Sequence, residues 1–401
     1  MASLFQAKPG IFRGNGPLLI LAAALVLFMA ASGAPTPIYR LYQEAWGFSS
    51  LTLTLIFGIY ALSLLASLLT VGGLSDDIGR RPMILLSIGL EIASMVLFLL
   101  AGSVPLLLAA RMAQGVATGI AASSLGAAIF DVDRHKAPLI NGVVPMLGIG
   151  IGAIVSGVLA SYAPAPLRSI YWLLLFLLAA SALLIWRFVP ESGDVRPFQM
   201  ARLKPTVRVP PQARAMLGLV TPINVALWAL GAFYLSLVPS LLRTVLGSAS
   251  PLVGGGVVGV LCITGAVSIG VMQHFAALRL FKIGVATLGI GPLLVLVGVH
   301  SGLAAVLVLG TFVAGIGFGL GFLGSLRLLL PLAHPGERAG LMSAFYVICY
   351  LSNSLPSLLA GAVAQRIGLV PTADCYGAAL VALSALSLVA LRLKRAQFTG
   401  R

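Results

Sequence analysis

Twelve stretches of this chain each run for about 20 residues or more with scarcely a charge, the length a helix needs to cross a bilayer. They span 17–36, 50–73, 82–102, 105–130, 138–161, 168–188, 216–240, 251–273, 281–299, 302–330, 339–363 and 371–391. Within each run the apolar residues are continuous rather than alternating. That is a helical pattern, because a spanning barrel strand would show a period of two. With 59% of 401 residues hydrophobic and 9% charged, too little polar surface remains for a soluble protein of this size. The expected fold class is an all-α membrane protein with twelve transmembrane helices.

A net charge of +15 would suit a nucleic-acid partner if it formed one basic surface. It does not. With the N-terminus placed in the cytoplasm, 20 of the 25 basic residues fall between spans on the inner side, from Lys8 and Arg13 through Arg196 and Arg202 to Arg401. Arg40, Arg168, Arg243 and Arg366 fall outside, and Arg111 lies within a span. This bias predicts a multi-pass protein of the cell inner (cytoplasmic) membrane with both termini cytoplasmic. Anionic inner-leaflet lipid is then the expected contact of the basic loops, and nucleic acid is not. The first span lacks a small-x-small cleavage site and eleven more follow, so it does not read as a cleaved signal.

The longest polar interval, 189–215, is rich in Pro and Arg. It separates an N-terminal six-helix bundle, 1–188, from a C-terminal one, 216–401, as a cytoplasmic linker would. The strings GIGIG (148–152), GGG (254–256) and GIGFGLG (315–321) resemble phosphate loops only superficially. They lie inside apolar runs, where small residues let helix backbones approach.

Between the second and third spans stands GGLSDDIGRR, residues 72–81. Its Gly72, Asp76, Gly79, Arg80 and Arg81 resemble the signature of the major facilitator superfamily, with Asp77 where that family usually carries a basic residue. Loop position, spacing and the 6 + 6 topology agree. The string RMAQGVATGIA from Arg111 resembles the Arg-x-x-Gln-Gly pattern of the drug:proton antiporter branches. GIGAIVSG, Gly150–Gly157, resembles their Gly-Pro-x-x-Gly-Gly pattern, with Ala153 for the proline and Ser156 for one glycine. The resemblance implies the major facilitator fold. It also implies a gating loop in which Asp76 meets the start of the eleventh span and Arg80 pairs with Asp131 at the inner end of the fourth. A solvated, positively charged anchor is the plainer reading of the same loop, and Asp77 has no assigned role.

Only ten acidic residues exist, and Glu91 alone lies near the middle of an apolar run. A carboxylate at that depth costs roughly 2.5–3.5 kcal/mol on insertion scales, so it needs a partner or a task. Helix rise puts Arg111 of the adjacent span at a comparable depth, and the two can pair if they face each other. Burial and a basic neighbour pull a carboxyl in opposite directions, which suits loading and release of a proton. Glu91, tuned by Arg111, is therefore the first proton-coupling candidate. A permanent pair bracing the third and fourth helices is the structural alternative. Asp374 is the second candidate, with an ordinary solvated charge as its alternative.

In the family fold the first, fourth, seventh and tenth spans line a central cavity. Carried onto this chain, that gives Phe28, Arg111, Gln114, Thr118, Asn224, Trp228, Tyr234 and Phe318, with Tyr346, Tyr350 and Asn353 nearby. Each aromatic taken alone also fits core or lipid-facing packing. Such a wall suits an amphipathic ligand, and Arg111 an anionic group. Cys262, Cys349 and Cys375 read as packing residues. The four histidines form no site, and neither a metal, a cofactor nor an enzyme is expected. The function expected is a secondary active transporter, acting as a monomer by alternating access, that exports a small amphipathic compound or drug in exchange for protons. Proton-coupled uptake of a metabolite and a non-transporting receptor with the same fold are the alternatives.

Overall fold

The computed structural model describes residues 15–192, 204–247 and 250–399, with side chains up to Leu393. Lys8, Arg13, Asp194, Arg196, Arg202 and Arg401, and the middle of the expected 189–215 linker, lie outside the described residues. Among the described residues, twelve helices long and apolar enough to cross a membrane follow one another, as the run pattern requires. The first half comprises α1 (Gly16–Gly33) continued by the short α2 (Tyr39–Trp46), α3 (Ser50–Thr70), one turn α4 (Ser75–Ile78), α5 (Arg80–Leu99), α6 (Val104–Val132), α7 (Ala137–Tyr162) and α8 (Ser169–Phe188). The second half comprises α9 (Pro211–Ser236) continued by the short α10 (Val238–Leu246), α11 (Pro251–Met272), α12 (Ala277–Ser301), α13 (Ala304–Leu329), α14 (Arg338–Ile367) and α15 (Leu369–Thr399).

The first and seventh spans overrun their apolar cores. After a brief break in the α-helix, at 34–38 in the first and at Leu237 in the seventh, YRLYQEAW and VPSLLRTVL are helical although they carry charge, and they run to Gly47 and Gly247. Both glycines take a left-handed conformation, at φ 65° and 64°, which ends a helix without a Cβ penalty. The halves thus repeat one device 200 positions apart.

Two six-helix bundles result. In the first, α3, α5, α6, α7 and α8 gather with α1; in the second, α12 packs on α13 and α15, and α9 on α14. The bundles meet along α7–α11 and α3–α14. Twelve crossings bring residues 15 and 399 to one face, called here the terminal face. Large apolar side chains such as Leu19, Trp172, Phe176, Val271 and Leu359 are exposed on the perimeter. That is stable only against lipid.

The glycine strings are helix-packing surfaces, as their position in apolar runs predicts. Alternate glycines of one string face different neighbours. Gly148 abuts Met29 and Gly152 abuts Ala30 of α1, while Gly150 between them faces Cys262 and Ile263 of α11. On α13, Gly315 and Gly319 meet α11 and Gly317 meets α12. A Cβ at Gly317 would stand 2.5 Å from the Leu288 nitrogen, so the backbones could not keep this spacing.

Candidate functional site

The deepest charges of the chain converge in the first half. Helix α5 turns Glu91 inward, and α6 presents Arg111 and Gln114 one turn apart; all three are at most 1% exposed. The Gln114 amide donates 3.0 Å to Glu91 Oε1 and 2.9 Å to the Ala31 carbonyl. Its own oxygen accepts a short hydrogen bond from Arg111 Nη1, which also reaches the Ser32 carbonyl at 3.4 Å. Gln114 therefore stands between acid and base, where the sequence suggested a direct pair. A glutamine amide can hydrogen-bond to both groups at once, because it carries an acceptor and donors on separate atoms. Two rings complete the shell. The guanidinium carbon lies 4.3 Å from the Tyr60 ring centroid and 5.7 Å from that of Tyr39. Glu91 Oε2 and Arg111 Nε are buried without a hydrogen-bond partner. Thr118 returns its hydroxyl to the Gln114 carbonyl at 2.8 Å, and Phe28 is fully buried nearby in α1.

The second half answers with aromatics. Trp228 of α9, Phe322 of α13 and Phe345, Tyr346 and Tyr350 of α14 form a closed circuit. Successive centroid distances are 6.2 Å (Trp228–Phe322), 6.0 Å, 6.1 Å, 6.2 Å and 5.0 Å back to Trp228. Such tilted and edge-on pairs are the favoured ring geometry. Helical spacing makes the circuit possible, since Tyr346 and Tyr350 are one turn apart. Trp228 Nε1 and Asn224 Oδ1, also one turn apart on α9, are buried without partners. Asn353 Nδ2 approaches the Trp228 carbonyl at 3.4 Å, and Phe318 lies against Gly231. Tyr234 sits elsewhere, hydrogen-bonded to Thr311 at 2.8 Å between α9 and α13.

The GGLSDDIGRR loop closes on its own half. Arg80 is the hub: Nη1 meets Asp76 at 2.6 Å and Ser75 at 2.7 Å, and Nε meets Asp131 at 3.1 Å. The resemblance placed Asp76 against the start of the eleventh span. Here it pairs with Arg80 four residues on, across the bend at Gly79 that joins α4 to α5. Asp76 is half-exposed, whereas Asp77 is buried. Gly79, at φ 107°, turns the chain into α5. Glu191 Oε1 accepts from the backbone nitrogens of Arg80 at 2.6 Å and Arg81 at 3.3 Å. A carboxylate there satisfies unpaired N–H groups and complements the dipole of α5. In the adjoining loop the backbone N–H of Lys136, then that of His135, holds the Asp133 carboxyl below its ordinary range.

On the opposite face Glu44 of α2 meets both Arg40, at 3.1 Å, and Arg243 of α10. Leu252 N donates to Ser161 at 3.2 Å. Both contacts tie one half to the other. Asp374 also lies on this face, exposed and 2.8 Å from His300, apart from Glu91.

Sequence reasoning missed Tyr39, Tyr60 and Glu191. Tyr60 carried a faint signal as a polar-tipped ring inside an apolar run. Glu191 carried none, since its partner lies 111 positions away.

The fold has solved counterparts. A crystal structure of the human organic anion transporter MFSD10 (TETRAN) superposes with a TM-score of 0.68 at 18% identity, covering 94% of this chain and all of that one. A bacterial homolog of the human lysosomal transporter Spinster, inward-facing and unoccupied, superposes at 0.70 and 15%, covering 94% and 96%. In sequence, 142 residues are 30% identical to major facilitator superfamily domain-containing protein 10 of Bos taurus, or 34% of this chain and 30% of that protein. The family model for the Major Facilitator Superfamily matches residues 20–357. With those residues matched and the twelve-helix fold in place, this chain belongs to the major facilitator superfamily of membrane transporters.

Proposed function

We propose that the protein is a proton-coupled exporter of a small amphipathic compound, working by alternating access. The observation that carries this reading is the Glu91–Gln114–Arg111 chain. Among the described residues it is a lone acid, fully buried at mid-membrane, hydrogen-bonded to a glutamine that also holds the only base at that depth. Intramembrane acids of this kind mark ion and proton paths. The aromatic circuit facing it supports an amphipathic cargo, with Gln114, Thr118, Asn224 and Asn353 as polar contacts. Asp374 is the lesser proton candidate, since it is exposed and already paired with His300.

In this reading the terminal face is cytoplasmic, as the excess of basic residues supports, and the membrane is the cell inner membrane. The Arg80–Asp131–Asp76 cluster with Gly72, Gly79 and Arg81 forms the inner gating loop. The Glu44–Arg243 contact fastens the outer face. The halves rock about α7–α11 and α3–α14, exposing the site to each side in turn. The protein works as a monomer among membrane lipids. An anionic cargo is the second reading. It is favoured by Arg111, the one charge among the cavity candidates, and by the organic anion transporter that the fold resembles.

A thermal-shift screen of the purified protein against drugs, organic anions and metabolites supplies a substrate. In proteoliposomes carrying it, a pH gradient should drive substrate against its own gradient. Glu91→Gln should abolish that accumulation while leaving substrate counterflow. Unchanged proton-driven transport in Glu91→Gln would remove the acid from the mechanism. Accumulation on the side that protons enter would mean uptake by cotransport instead of exchange. No flux of any screened binder would favour a receptor.

A further inference from the structure

Tyr60 stands where the buried ionic chain and the aromatic circuit come nearest. Its helix, α3, packs on α6 within its own half and on α14 of the other. The α6 contact is close. A Cβ at Gly115 would stand 2.9 Å from Ser63 Cβ and would run into the Tyr60 carbonyl, so the Tyr60 backbone is fixed against the helix that carries Arg111. One face of the ring receives the guanidinium at 4.3 Å, and the hydroxyl is directed at those of Ser32 and Thr118. From the other half, Tyr350 packs on the cluster of Tyr60, Ala61 and Leu64. Tyr350 is also the member of the aromatic circuit 5.0 Å from Trp228.

The charge on Glu91 decides how Arg111 divides itself. While the acid is ionised, it holds the guanidinium side through Gln114. Once it is neutral that electrostatic pull ends, and Arg111 keeps the Ser32 carbonyl, the Gln114 oxygen and the π faces of Tyr60 and Tyr39. Cation–π attraction is strongest where water is excluded. The ring is therefore gripped more firmly in the protonated state, and Tyr350 packs against that ring across the moving α3–α14 interface. Among the described residues, Glu91 faces Arg111 and Tyr60, and Arg111 in turn faces Tyr39 and Tyr171.

We propose that Tyr60 is the positioning residue through which the protonation of Glu91 sets the arrangement of the aromatic circuit in the other half. This rests on Glu91 being the proton site. The test uses the full-length protein in detergent, with Trp46, Trp172 and Trp186 replaced by Phe so that Trp228 is the only one left of four tryptophans. Two signals are followed as pH is varied: Trp228 fluorescence, and the infrared carbonyl band of a protonated carboxyl that Glu91→Gln removes. Both should show a transition in the parent protein. Tyr60→Leu should keep the Glu91 band and lose the fluorescence transition, while Tyr60→Phe, which retains the ring over Arg111, should keep both. If Tyr60→Leu does not fold, Tyr350→Leu breaks the same contact from the other half and should give the same split. An unaltered Trp228 transition in the leucine variant, or its loss in Tyr60→Phe, would overturn the proposal and leave Glu91 as the proton site. Absence of any band removed by Glu91→Gln would overturn the proton site itself, and the proposal with it.

Discussion

The two halves share a frame and differ in what they keep inside it. Each has six spans, and each continues its first span into a short helix ended by a left-handed glycine, Gly47 or Gly247. Inside the first half lie an acid, a base and the glutamine between them. Inside the second lie rings and neutral pairs such as Tyr234–Thr311 and Tyr376 with the Ala229 carbonyl. The terminal-face turns differ in the same way. In the first half Arg80, on the loop, reaches Asp131 at the end of α6. In the second, Arg327 at the end of α13 reaches back to the Gln273 carbonyl. The repeat preserves a basic tether but not its direction. A repeated scaffold thus leaves each half free to differ inside, one around a buried acid and base and the other around aromatic rings.

The largest effect that would sharpen this contrast is expected at Arg111. Arg111→Ala removes the only base beside Glu91, and stranding a buried charge costs about 3–5 kcal/mol. Thermal unfolding in detergent should show that loss at alkaline pH, where the acid is ionised, and Glu91→Gln on top of it should recover much of it. No recovery would mean that Arg111 serves packing alone. Trp228→Ala should act on the other half. Substrate affinity should fall about tenfold, roughly 1.4 kcal/mol, with the pH dependence of transport unchanged. A shifted pH profile would break the division of labour between the halves.

Arg80→Gln should slow turnover severalfold at nearly constant affinity, since it severs Asp76, Asp131 and Ser75 at once. Arg327→Gln, losing one carbonyl contact, should do less, and equal effects would make the two turns functionally alike. The smallest effect is expected at Asp133. Its carboxyl is held below the ordinary range, so its contribution is present above the unfolded-state value and fades as pH falls through the folded one. Asp133→Asn should therefore lower the melting temperature slightly at neutral pH, and the difference should close in acid. A difference that persists in acid would point to lost geometry rather than lost charge.

Glu91 shows how far one dimension reaches. Its depth within an apolar run identified it as the acid needing an explanation, and Arg111 as a residue at matching height. Gln114 was named as a cavity residue, yet its place between the two depends on helix rotation, which the run pattern does not carry. Tyr60 and Tyr350, nearly 300 positions apart, meet only because α3 and α14 pack across the bundle interface. The GGLSDDIGRR loop was legible as a motif, but its clasp by Glu191 was not.

The sequence by itself determined the number of spans, the expected orientation and the existence of two halves. Those depend on quantities summed along the chain: apolar length against bilayer thickness, and basic residues counted loop by loop. Only the tertiary structure decided which polar groups share a pocket. Hydrogen bonds and ring contacts act over a few ångströms and are sensitive to helix rotation and to small shifts between helices. Glycine-to-backbone packing across α1, α7, α11 and α13 fixes those shifts.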